Sequence, residues 1–137
     1  MDEISTEQVR AQVMRFWKAF NSGSVELLTD LYSVHASVFS PGTERFEPGR
    51  VAAIRRQREY AKATVEAHPS NIQVTLICNH VALAYYNFSS RASGVVSDVA
   101  GAKSYTIQNG RASQVFALES DGKLRIIHEH LSVNVPL

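Results

Sequence analysis

Gln114-Val115-Phe116-Ala117-Leu118-Glu119, then Ser120-Asp121-Gly122-Lys123, then Leu124-Arg125-Ile126-Ile127-His128-Glu129-His130-Leu131, is the stretch that decides the fold. Two apolar-rich runs joined by Asp121-Gly122 predict a β-hairpin, because Asp-Gly accepts the positive φ of a tight turn. A two-residue turn places Ser120 opposite Lys123, and counting outward sets Gln114 opposite Glu129 and Phe116 opposite Ile127. Alternation along each strand then puts Gln114, Phe116, Leu118, Ile127, Glu129 and Leu131 on one face, with His128 and His130 on the other. A carboxylate in an apolar row points to a ligand pocket.

Upstream of the hairpin the pattern is helical. Ser5 and Gln8 stand at capping-box spacing, with Ile4 placed to staple onto Val9, so a helix is expected to start here. Its apolar stripe is Val9, Val13, Phe16, Trp17 and Phe20, and Asn21-Ser22-Gly23 ends it. Ser24 is placed to cap a second helix with Leu27, Leu28, Leu31 and Tyr32 on one side. A short strand is expected around Ala36 to Ser40, then a loop bracketed by Pro41-Gly42 and Pro48-Gly49. A third helix is expected from Arg50 to Glu66, ending before His68-Pro69 because proline disfavours helical angles in its predecessor. On it Val51, Ile54, Ala61 and Val65 are expected in the core, with Arg55, Arg56, Arg58 and Lys62 on a solvated face.

From Ile72 the period shifts to that of strands. Ile72 to Cys78, a turn at Asn79-His80, Val81 to Ser90 and a second pair ending in the hairpin give an antiparallel meander. Residues 91–103, rich in Gly, Ser and Ala, read as a mobile connection. Three helices followed by a meander argue for an α+β fold, a curved antiparallel sheet wrapped around the helices.

Length and charge narrow the function. At 137 residues the chain fits one domain spanning 1–137. The 14 Lys+Arg against 13 Asp+Glu lack the excess that phosphate-backbone binding demands, so no nucleic-acid partner is expected. Cys78, the single cysteine, excludes an internal disulfide. The acidic start Met1-Asp2-Glu3 and the lack of a long apolar run argue against a leader or membrane span, so a cytoplasmic protein with no membrane partner is expected.

Arg15-Phe16-Trp17-Lys18-Ala19-Phe20-Asn21-Ser22-Gly23, the segment Tyr32 to Phe39, and Asp121-Gly122-Lys123 through His130-Leu131-Ser132 together resemble the nuclear-transport-factor-2-like superfamily. That superfamily shares a cone-shaped α+β barrel among ketosteroid isomerases, SnoaL-like polyketide cyclases and the association domain of calcium/calmodulin-dependent kinase. The resemblance covers nearly the whole chain and implies the cone, while function must be argued from the site. An isomerase of this kind needs a tyrosine, an aspartate base and a protonated aspartic acid. Alignment places Phe16, Ser40 and Gln114 at those positions, and none can do the corresponding work, so steroid-type isomerisation is not expected. The kinase association domain resembles this chain at His128 and His130, but its pocket arginines have no counterparts at Asn87 or Leu131.

The resemblance also turns Tyr85, Asn87 and Ser89 inward. The expected ligand-binding set is therefore Phe16, Phe20, Ser40, Tyr85, Asn87, Gln114 and Glu129, with Glu129 the catalytic acid or base if a reaction occurs. Two readings of Glu129 stay open: a pocket carboxylate, or, if a bulge switches the face, a surface residue paired with an arginine. His128 and His130 could hold zinc only with a third ligand from His35, His68 or His80, which no spacing fixes, so no metal and no cofactor are expected. The expected function is binding of a small apolar ligand, extending to proton transfer on a polyketide-like or other apolar carbonyl compound, in a homodimer. The alternative is an assembly module that works through the sheet face around His128, His130 and Val133.

Overall fold

The computed structural model describes residues 3–59, 62–95 and 104–133. Ser5 caps α1 (Thr6–Ser22) with both halves of the box made, its Oγ accepting from the Gln8 amide at 3.2 Å and the Gln8 side chain accepting from the Ser5 amide at 2.8 Å. Val9, Val13, Phe16 and Trp17 form the buried stripe. Gly23, at φ 72°, closes the helix in the left-handed conformation that glycine adopts without a Cβ penalty. Ser24 caps α2 (Val25–Asp30), from which Leu28 is buried while Leu27 stays 60% exposed. Next come β1 (Tyr32–Phe39), β2 (Glu47–Pro48), α3 (Gly49–Glu59), β3 (Lys62–Cys78), β4 (Val81–Val95), β5 (Ser104–Leu118) and β6 (Leu124–Ser132).

The six strands form one curved, unclosed sheet in the order β2-β1-β6-β5-β4-β3, and the helices pack on its inner side. β3 to β6 make the expected meander, but β1 joins β6 in parallel, so the sheet is mixed instead of wholly antiparallel. The long β3 lies at the edge, where unpaired backbone groups invite association. Side chains of α1 cover part of it: the Asn21 amide exchanges two hydrogen bonds with Ala67, both 2.8 Å, and Arg10 donates to the Ile72 carbonyl at 2.6 Å.

The hairpin reaches the expected partner by an unexpected route. The Glu119 amide donates to the Lys123 carbonyl, enclosing a three-residue loop with Gly122 at φ 83°, where the sequence predicts two residues. That shifts the register by one, and Phe116 faces Ile126 instead of Ile127. A bulge at Ile127 shifts it back, and Gln114 faces Glu129. The inward row keeps Gln114, Phe116, Glu129 and Leu131, with Ile126 replacing Ile127.

Three further expectations are corrected. β1 is longer than the expected strand and begins at Tyr32. The third helix stops at Glu59, because the Thr64-Val65 stretch finds a partner in the extension of β4 and pairs with Ser93 and Ala92. Its buried side is Gly49, Ala52, Ala53, Arg56 and Gln57, while Val51 and Ile54 are exposed. Arg91, Ala92 and Ser93 pair with Thr106, Tyr105 and Ser104 in the β4–β5 ladder, and Gly94 and Val95 pair with β3, instead of forming a loose connection; 96–103 and Ala61 lie outside the described residues, as does the side chain of Lys62.

Candidate functional site

Glu129 comes from the middle of β6 and points inward, fully buried. A lone charge there would cost several kcal/mol, roughly, and the surrounding strands and helices supply donors instead. The Tyr32 hydroxyl, at the start of β1, donates to Glu129 Oε2 at 2.8 Å. Arg56 Nη1, from α3, donates to the same oxygen and to the Tyr32 hydroxyl, each at 2.8 Å. Gln114 Nε2, opposite on β5, donates to Oε1 at 2.6 Å.

Beyond this shell the bonds continue. Gln114 Oε1 accepts from the Tyr86 hydroxyl at 2.6 Å, and that hydroxyl accepts from Trp17 Nε1 at 3.0 Å. On the other side Arg56 Nη2 donates to Ser40 Oγ at 2.8 Å. Seven side chains from α1, β1, the β1–β2 loop, α3, β4, β5 and β6 thus form one buried chain centred on a single carboxylate.

The close approach of α3 depends on small residues. Gly49 stands where a Cβ would lie 2.7 Å from the Tyr32 ring and 2.8 Å from Ala36, and Ala52 and Ala53 let the helix settle over β1 with Arg56 beneath it. Burial pushes the Tyr32 and Tyr86 phenols well above their ordinary range, with the Glu129 charge adding to the shift, so both remain neutral donors. Burial acts to lower the Arg56 pKa, but the Tyr32 and Glu129 oxygens outweigh it and the net shift is upward.

Of the expected site residues, Ser40, Gln114 and Glu129 meet in this chain. Phe16 is buried beside it, its ring edge-on to Tyr32 at 6.1 Å, and Phe20 is half-buried against Trp17. Tyr85 and Asn87 are not in it. The inward residues of β4 are Tyr86 and Phe88, and Tyr85 stands 47% exposed on the outer face with Asn87 beside it. The shift of one residue follows from packing: Trp17 stacks on Phe88 at 4.9 Å, and the opposite parity would leave that ring outside. Glu129 joins parts of both open readings, being interior and paired with an arginine.

Arg56, Tyr32 and Tyr86 were missed as site residues. For Arg56 a signal existed: Ala52 and Ala53 at helical spacing before Arg56 and Gln57 mark a small-residue face of the kind that packs closely. His128 and His130 lie on the outer face as expected, with His128 Nδ1 2.8 Å from Ser37 Oγ. Among the described residues no cluster of three or more metal-ligating groups occurs. An open groove of about 1210 Å³ exists elsewhere, and none of its lining residues belongs to the buried chain.

An open mixed sheet curled over N-terminal helices, with polar side chains converging on one interior carboxylate, defines an α+β protein of the nuclear transport factor 2-like cone class. The chain belongs to the SnoaL-like domain family, whose model matches residues 9–136. No curated protein matches the sequence. Solved structures share the fold at low identity. A candidate dehydratase of the nuclear transport factor 2-like family from Streptomyces avermitilis is 19% identical, with 95% of this chain and 96% of that one covered and a TM-score of 0.75. A candidate scytalone dehydratase from Novosphingobium aromaticivorans is 13% identical over 93% and 82%, also at 0.75. The association domain of the Caenorhabditis elegans calcium/calmodulin-dependent protein kinase II is 15% identical over 93% and 94%, with a TM-score of 0.72. Both small-molecule and assembly proteins therefore use this fold.

Proposed function

We propose that this protein binds a small apolar carbonyl compound in the cone and moves a proton on it, with Glu129 as the acid or base. The observation carrying this reading is the buried chain itself. A buried ion pair is seldom worth more to stability than apolar packing of the same volume, so one set at the centre of an otherwise apolar interior asks for a chemical use. Ser40 and Gln114, the positions that the family resemblance aligns with a base and an oxyanion acid, contact Arg56 and Glu129 respectively.

In this reading a ligand carbonyl competes with Ser40 for Arg56 Nη2, and Tyr32 supports the oxygen as it gains charge. Glu129 takes the proton α to that carbonyl. Dehydration and cyclisation of carbonyl compounds both need such a step, which fits the dehydratase names among the structural neighbours. The test is exchange of the methyl protons of 2-acetylnaphthalene into D2O, followed by NMR. Saturable exchange about 100-fold or more above buffer is expected, lost in Glu129→Gln and reduced in Tyr32→Phe, which keeps the ion pair. Exchange no faster than buffer, or equal in folded Glu129→Gln, removes the mechanism.

One observation favours assembly as a second reading. On the outer face Tyr85, Ser113, His130 and Phe39 lie in register across four adjacent strands, and Leu83, Val115, His128 and Ser37 form the row beside them. Phe39 packs against both imidazoles and against Phe46, itself 63% exposed. An outer sheet face with aromatic side chains at its centre suits a homodimer. Light scattering is expected to give a dimer mass for the wild type and a monomer mass for Tyr85→Glu; a monomeric wild type rejects this face as an interface.

A further inference from the structure

We propose that the groove between α1, α2 and the β5–β6 hairpin binds a monomeric anionic amphiphile, a long-chain carboxylate being the simplest member. This site is separate from the cone and stands or falls without it. The groove measures about 1210 Å³. Its apolar track is Ile4, Ala11, Leu31, Leu118 and Leu124, contributed by all of its walls.

The buried amide on the floor is already engaged within the protein. Gln12, 8% exposed, spends its amide internally: Nε2 donates to the Leu124 carbonyl at 2.8 Å and Oε1 accepts from Arg15 Nη1 at 3.0 Å. With each end of the amide already engaged, a hydroxyl or peptide desolvated there recovers little of its lost hydrogen bonding to water, whereas an alkyl chain has none to lose.

The charges select the head group. Asp30 is engaged by Lys123 and Arg125, each at 3.4 Å. Arg15 and Lys18 also line the groove, and among the described residues neither forms an ion pair. The remaining acid, Glu3, precedes the helix and lies more than two turns from Arg15. A carboxylate at Arg15 and Lys18 therefore meets two cations with no competing acid, and its chain runs back along α1 over Ala11 to Ile4. At 1.5 Å per residue that track is about 16 Å, the reach of a dodecanoate-sized chain.

The experiment is titration calorimetry of the full chain with sodium dodecanoate below its micelle concentration. One saturable site is expected. Arg15→Gln should weaken it about fivefold, the worth of one exposed ion pair. Ala11→Glu, at an exposed helical position, should weaken it about tenfold or more by placing a charge on the track of the chain. Dodecanol should bind less tightly than dodecanoate. Absence of saturable binding overturns the proposal. Retention of binding in both folded variants places the ligand elsewhere, the cone included, and overturns it too. So does binding only to anionic vesicles in a flotation assay, which would mark a membrane-docking face.

Discussion

Glu129→Gln is expected to lower the free energy of unfolding by about 3–5 kcal/mol, because it leaves the Arg56 guanidinium buried without a counter-charge. The side chain of Arg56 is 6% exposed and that of Glu129 is fully buried, so water cannot replace the lost partner. Small domains have about 5–15 kcal/mol in total, and the loss would be a large share of it. Arg56→Met alone should cost a similar amount, since Glu129 then keeps only the two neutral donors Tyr32 and Gln114. The double variant Arg56→Met/Glu129→Leu should recover most of the loss, because it removes both charges together. Urea unfolding at pH 7 of the two single variants and the double variant measures the coupling. Costs that simply add would mean that the two charges do not sense each other, and the chain of bonds would lose its centre. The same expectation governs activity assays: Glu129→Gln must be assayed where it is folded, and Tyr32→Phe is the cleaner probe of chemistry.

Stability is also expected to fall steeply above pH 10. The folded-state pKa values of Tyr32 and Tyr86 are raised by burial, so the folded protein holds two phenolic protons that the unfolded chain releases near pH 10. Where the native state binds more protons than the unfolded one, stability decreases as pH rises. The contribution of each tyrosine is fully present below about pH 10. It is lost from there upward until the folded-state values are passed. Each group contributes a slope of about 1.4 kcal/mol per pH unit in that window, about 2.7 for the pair. Urea midpoints between pH 8 and 12 test this, and Tyr86→Phe should show about half of the slope. A flat profile up to pH 12 would mean that these phenols meet water.

Much of the fold could be read from local chemistry. The capping box at Ser5, the αL glycine at position 23, the apolar stripe of α1 and the alternation of the hairpin are short-range features, and each is where the residues indicate. The opposition of Gln114 and Glu129 was also legible, although through two compensating irregularities, a longer loop and a bulge. What failed were assignments between competing periods and faces. The segment after Glu59 can continue a helix or extend a strand, and only the presence of β4 alongside decides. Strand β4 carries aromatic residues on both faces, Tyr85 outward and Tyr86 and Phe88 inward, so composition does not set its parity. The stacking of Trp17 on Phe88 sets it.

Arg56 shows the boundary most clearly. In a run of four residues that reads Arg55-Arg56-Gln57-Arg58, charge alone does not separate it from its neighbouring arginines, and only the small residues Ala52 and Ala53 one turn earlier mark its face of the helix. Its burial is affordable only because Glu129, 73 positions further along the chain, arrives from another element with the opposite charge. The amino-acid sequence by itself determined the starts of the first two helices, the hairpin and the opposition of Gln114 and Glu129, because these follow from caps, periodicity and strand alternation within a few residues, and its resemblance to known segments pointed to the family. The tertiary structure alone decided that this carboxylate would be held by Arg56, Tyr32 and Gln114, because a buried charge is stable only where distant segments converge to neutralise it.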